Sequence, residues 1–117
     1  MKKQYYFIVL LLLCFSTNSF AQTQAEMNAT ASAQYAKADK ELNKVYKQLM
    51  SMLDKSDKTL LIQAEKDWVK FRDSHCKFVA AQYDGGSMQP LVRSTCLEEL
   101  TRQRIEEIKA SIKDRDL

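Results

Sequence analysis

The whole chain contains two glycines and one proline, and all three lie between Gly85 and Pro90. These are the residues that most readily turn a chain or stop a helix. A chain of 117 residues thus has one strongly marked turn, with long uninterrupted stretches before and after it. Those stretches are rich in Ala, Leu, Lys, Glu and Gln, all good helix formers. A sheet protein would need many turns and more Val, Ile and Thr. An all-α fold is expected.

The first 21 residues stand apart. Lys2 and Lys3 precede an uncharged apolar run from Tyr5 to Phe15, and Ser19-Phe20-Ala21 then offers small residues at −3 and −1. This is the layout of a secretory signal peptide cleaved after Ala21. The run is too short to cross a bilayer, which needs about 20 apolar residues. Leu13 is bulky where a lipid-attachment site before Cys14 would need a small residue. The expectation is a signal peptide over 1–21 and one helical domain over 22–117, periplasmic or secreted, with no membrane span left after cleavage.

Loss of Lys2 and Lys3 with the leader leaves 16 basic side chains of 18, against 15 acidic ones. Such a balance does not suit a nucleic-acid binder. Cys14 leaves too, so Cys76 and Cys96 remain as an even pair in an oxidising compartment, which predicts one disulfide.

Three helices are expected. The first runs from about Ala25 to Leu53, with Tyr35, Ala38, Leu42, Val45, Leu49 and Met52 at spacings of three and four on one face. Ser56 is the expected N-cap of the second helix, about Asp57 to Gln82, whose inward residues are read as Leu61, Ala64, Trp68, Phe71, His75 and Phe78. After Asp84-Gly85-Gly86-Ser87, Ser87 is expected to cap the third helix, with Pro90 in its first turn. That helix turns Leu97, Thr101, Ile105, Ile108 and Ile112 inward. Short links between similar helices predict an up-down-up bundle. Cys76 and Cys96 each lie ten residues from the turn's centre near 86, so antiparallel helices bring them level for bridging.

Catalysis is not expected. The single histidine, His75, has Phe71, Arg72, Phe78 and Val79 three and four residues away, so no local metal partner exists. Cys76 follows it directly and does not share its helix face. Glu65 with Asp67, Glu98 with Glu99 and Glu106 with Glu107 are splayed by their spacing and suit a solvated surface. No glycine-rich phosphate loop follows a strand, and no cofactor or metal is expected. Lys37, Lys40, Lys44 and Lys47 form a basic stripe that could hold an anionic envelope polymer, although a solvated outer face explains it more simply.

A combination of short motifs is more informative. Ala38-Asp39, Glu41-Leu42-Asn43 and Val45-Tyr46 are followed by Trp68, Phe71-Arg72-Asp73 and Cys76. Gly85-Gly86-Ser87, Cys96-Leu97, Leu100-Thr101 and Arg104 complete the series. In this order the set resembles the LprI-type lysozyme inhibitor family over about residues 25–113. The resemblance implies an exported helical domain and, for at least some members, inhibition of lysozyme. Many relatives carry a further cysteine pair with one member near the start of the domain, where Gln22 to Gln34 holds none. Some are lipoproteins, for which this sequence offers no good lipidation site.

The expected function is therefore non-enzymatic: a protein-binding module whose partner is a lysozyme, acting by cleft occlusion. The expected contact surface is the tip, Asp84, Gly85, Gly86 and Ser87, with Glu99 and Glu106 on the adjoining acidic face of the third helix. The alternatives are an envelope-polymer module using the lysine stripe and a neutralising partner for another exported hydrolase or toxin.

Overall fold

The computed structural model describes the backbone of residues 2–117 and the side chains of residues 23–117. The expected signal peptide lies outside the residues whose side chains are described. Three helices follow one another: α1 (Lys2–Met52), α2 (Lys55–Ala81) and α3 (Gln89–Arg115). No strand occurs among the described residues.

The course of the helices is read from contacts between them. Asn28, midway along α1, reaches the Ser87 carbonyl, and Glu41 further along meets Arg102 and Lys109 of α3. The pairs thus advance together, and α1 and α3 run parallel. Along α2 the order reverses: Asp57 meets Arg115, Glu65 meets Arg104, and Cys76 is bonded to Cys96. This is the up-down-up bundle, with the disulfide between α2 and α3 and 5.5 Å between the two Cα atoms.

Two apolar clusters fill the interior. The larger holds Leu42, Val45, Leu49, Leu53, Ile105, Ile108 and Ile112, with Tyr46, Leu61 and Trp68 packed against it. The smaller, nearer the turn, holds Cys76, Cys96 and Leu97, with Tyr35, Val79 and Leu100 beside it. Between them, Ala38 and Thr101 are wholly buried and Arg72 is 6% exposed. The inward positions expected on α3 are all buried, and so are Ala38, Leu42, Val45 and Leu49 of α1. Met52 is exposed, and its neighbour Leu53 enters the core instead.

The inward face of α2 differs from the expected one. Ala64 is exposed, Phe71 is 54% exposed and Phe78 is 77% exposed, while His75 is only half-buried. The helix turns Leu61, Glu65, Trp68, Arg72, Cys76 and Ala80 toward its neighbours. Both series have a three-four rhythm, so periodicity alone does not choose between them. The disulfide does: with Cys76 inward, Phe71 and Phe78 are carried to the outside. There the rings of Phe71 and His75 stack at 5.4 Å.

Both expected caps are also displaced. Asp54 caps α2, its Oδ1 accepting from the Asp57 N–H at 2.8 Å. A carboxylate at a helix start also meets the positive end of the helix dipole, which a serine cannot do. Met88 occupies the N-cap of α3 and makes no side-chain bond, with Pro90 in the first turn. Ser87 instead offers its carbonyl to Asn28 Nδ2 at 3.1 Å.

Candidate functional site

The α2–α3 turn is a tight, exposed tip. The Tyr83 and Asp84 N–H groups donate back to Ala80 and Ala81, and Gly86 N–H donates to the Tyr83 carbonyl at 2.9 Å. Gly85 has φ +74°, a left-handed backbone that glycine adopts without cost. A Cβ on Gly86 would stand 3.2 Å from the Tyr83 carbonyl oxygen, so both glycines have a reason. Gln89 Nε2 donates across the turn to Asp84 Oδ1 at 3.1 Å, which commits that carboxylate. Among the described residues the N–H groups of Gly85 and Ser87 and the Ser87 hydroxyl have no hydrogen-bond partner. The tip therefore presents three donors, held from below by Asn28 and by the disulfide.

The carboxylates of α3 are less free than their number suggests. Glu98 pairs with Arg102 at 2.8 Å, Glu107 with Arg104 at 2.9 Å and Glu106 with Lys109 at 3.3 Å. Glu99 has no ion-pair partner and lies beside His75 and Val79 in a shallow hollow between α2 and α3. The tip and Glu99 are thus held on one α2–α3 hairpin. The stripe of Lys37, Lys40, Lys44 and Lys47 lies exposed on α1, and none of the four enters an ion pair among the described residues.

The main residue missed by sequence reasoning is Arg72. Its guanidinium meets Asp73 at 2.9 Å and Asp39 at 3.6 Å, donates to Thr101 Oγ1 at 3.4 Å, and lies over the Tyr35 and Trp68 rings. A single Arg-Asp pair in sequence carries no sign of burial, because the groups that make burial tolerable come from two other helices. Thr101 is satisfied in turn by donating to the Leu97 carbonyl. Burial pushes the Tyr35 hydroxyl above the ordinary tyrosine range; Arg72 opposes this, Asp39 and Asp73 reinforce it, and Arg93 opposes it again. For Arg104, burial would lower the pKa, but hydrogen bonds to Glu107 and Glu65 outweigh it and raise it. Among the described residues no group of three or more His, Cys, Asp or Glu side chains is placed to hold a metal ion. No helix among them is long and apolar enough to cross a membrane.

These features can be set beside known proteins. The family model described as lysozyme inhibitor LprI matches residues 14–108. An uncharacterized protein of Rhizobium meliloti (strain 1021) is 34% identical over 122 aligned positions, covering 85% of this chain and 88% of the relative. No solved structure matches significantly. The Trp68, Arg72, Asp73 and Cys76 motif now has a physical content, since these residues cluster around one buried guanidinium and one disulfide. The match takes in all of α2 and most of α3, so this helical, disulfide-linked chain belongs to the LprI lysozyme inhibitor family.

Proposed function

We propose that the protein is exported with loss of residues 1–21 and inhibits a lysozyme by occluding its cleft, acting through binding rather than catalysis. The observation that carries this reading is the family match, which spans nearly the whole helical bundle. The tip supports a way of doing it. Lysozyme clefts hold two carboxyl groups at the catalytic centre, and Gly85, Ser87 and the Ser87 hydroxyl offer uncommitted donors with little side-chain bulk. Glu99 and Glu106 on α3 would favour encounter with a cationic enzyme. Asp84 and Gly86 shape the tip instead of contacting the target through their N–H groups, which the turn already uses.

The test is inhibition of a panel of lysozymes by the mature protein, with Ser87→Arg and Glu99→Lys/Glu106→Lys as variants. Circular dichroism checks that each variant stays folded. The proposal expects the wild type to inhibit at least one lysozyme and both variants to lose potency. Equal inhibition by both folded variants would remove the tip and the acidic face from the reading. Failure of the wild type against every lysozyme would remove the function.

One observation favours a second reading. Lys37, Lys40, Lys44 and Lys47 are all exposed and unpaired, as a surface for an anionic envelope polymer would be. Such binding would weaken steeply with salt and would be lost in Lys40→Gln/Lys44→Gln. Capture of another exported hydrolase or toxin would show as binding with neither lysozyme inhibition nor lysine dependence.

A further inference from the structure

A groove of about 730 Å³ opens between the three helices below the tip. Its charged lining is Arg72, Asp73, Lys77 and Arg93. Asp73 is turned onto Arg72 at 2.9 Å, and nearby Asp39 is also drawn to Arg72, at 3.6 Å. Lys77 and Arg93 are left without a carboxylate. The contrast with the other arginines is informative. Among the described residues Arg72, Arg102, Arg104 and Arg115 each hold at least one carboxylate, and Arg93 alone of the five arginines holds none.

The rest of the lining suits a polar ligand. Ser32, Tyr35 and Ser94 line this space, and their hydroxyls have no hydrogen-bond partner among the described residues. Pro90 and Leu97 add an apolar wall. The first turn of α3, which borders the groove, contains no acidic residue to offset the positive end of the helix. The volume falls in the range of small-molecule sites and exceeds what a bare ion would fill.

We propose that this groove binds a small molecule bearing one oxyanion group, a carboxylate or phosphate, through Arg93 and Lys77, with Ser32, Tyr35 and Ser94 hydrogen-bonding its remainder. The planar guanidinium of Arg93 can meet two oxygens of such a group at once, and Lys77 adds a point charge. This site does not depend on lysozyme inhibition.

The mature protein would be titrated at low ionic strength with inorganic phosphate, N-acetylmuramic acid and uncharged N-acetylglucosamine, and followed by amide chemical shifts. Saturable shifts confined to the groove are expected with at least one of the two anions, and none with the neutral sugar. Response to phosphate alone or to the sugar acid alone supports the site and identifies the group preferred. Arg93→Gln and Lys77→Gln should each weaken binding about tenfold, while Lys40→Gln/Lys44→Gln leaves it unchanged. Both replaced groove residues are exposed, so folding is not at stake. No saturable shift with either anion, equal binding of the neutral sugar, undiminished binding by both groove variants, or shifts centred on the lysine stripe would overturn the proposal.

Discussion

The guanidinium of Arg72 lies 5.1 Å from the centre of the Trp68 ring, one helical turn earlier on α2. Arg104 approaches the same ring at 5.8 Å from α3. The tryptophan thus joins two helices through cation–π contacts as well as apolar packing. Replacing Arg72 with Ala should cost about 2 kcal/mol, because the ion pairs, the Thr101 contact and the stacking are lost together. Arg72→Lys should recover only part of this, since an ammonium is not planar. Urea unfolding midpoints of the two variants measure both effects, and an unchanged midpoint for Arg72→Ala would contradict this account.

The disulfide closes a segment with a sequence separation of 20 residues. On the chain-entropy argument it contributes about 3 kcal/mol. Cys76→Ala/Cys96→Ala should remain helical but melt on the order of 15 °C lower. Thermal denaturation of oxidised wild type beside this variant is the comparison, and matching curves would show that the bridge adds nothing.

The outer face of α2 offers a sharper contrast. Phe78→Ser should change stability by less than about 0.5 kcal/mol, because that ring is 77% exposed, and Phe71→Ser should cost about 1 kcal/mol for the stacking on His75. Ile108→Ala, at a position 2% exposed, should cost about 2–5 kcal/mol. A phenylalanine variant as damaging as Ile108→Ala would return those rings to the interior.

Stability should also fall at alkaline pH. Burial raises the pKa of Tyr35 and of Tyr46, the latter helped by Glu65. In the unfolded chain these phenols ionise first, near the ordinary tyrosine value of about 10. Their contribution is therefore fully present below that value and is lost as pH rises through the higher folded values. Unfolding free energy measured between pH 9 and 12, on wild type and Tyr35→Phe/Tyr46→Phe, should decline less steeply in the variant (pH range on the order of the tyrosine titration).

The helices, the marked turn and the disulfide partners were legible because each depends on local composition or on parity. The tilt of α2 about its own axis was not. Phe71 and Phe78 look like core residues and Arg72 like a surface residue, and the Cys76–Cys96 bond together with the Arg72 contacts to α1 and α3 reverses that reading. The caps show the same limit: Ser56 and Asp54 both have capping side chains, and because α2 begins at Lys55 the role falls to Asp54 while Ser56 lies inside the helix. The groove below the tip was invisible, since Ser32, Tyr35, Lys77 and Arg93 come from three separate helices.

The polar layer formed by Arg72 and Thr101 has a consequence for how the helices find their alignment. Aliphatic side chains lie on both sides of it, Leu42 and Ile105 toward one end and Leu97 toward the other. Interlocking aliphatics alone tolerate a sliding error, because one methyl-rich level resembles the next. A slip of α2 by one turn in either direction would drag a guanidinium into hydrocarbon and strand it from Asp39 and Thr101. The layer therefore works as an index notch, penalising every offset except the one that brings the two sulfur atoms together.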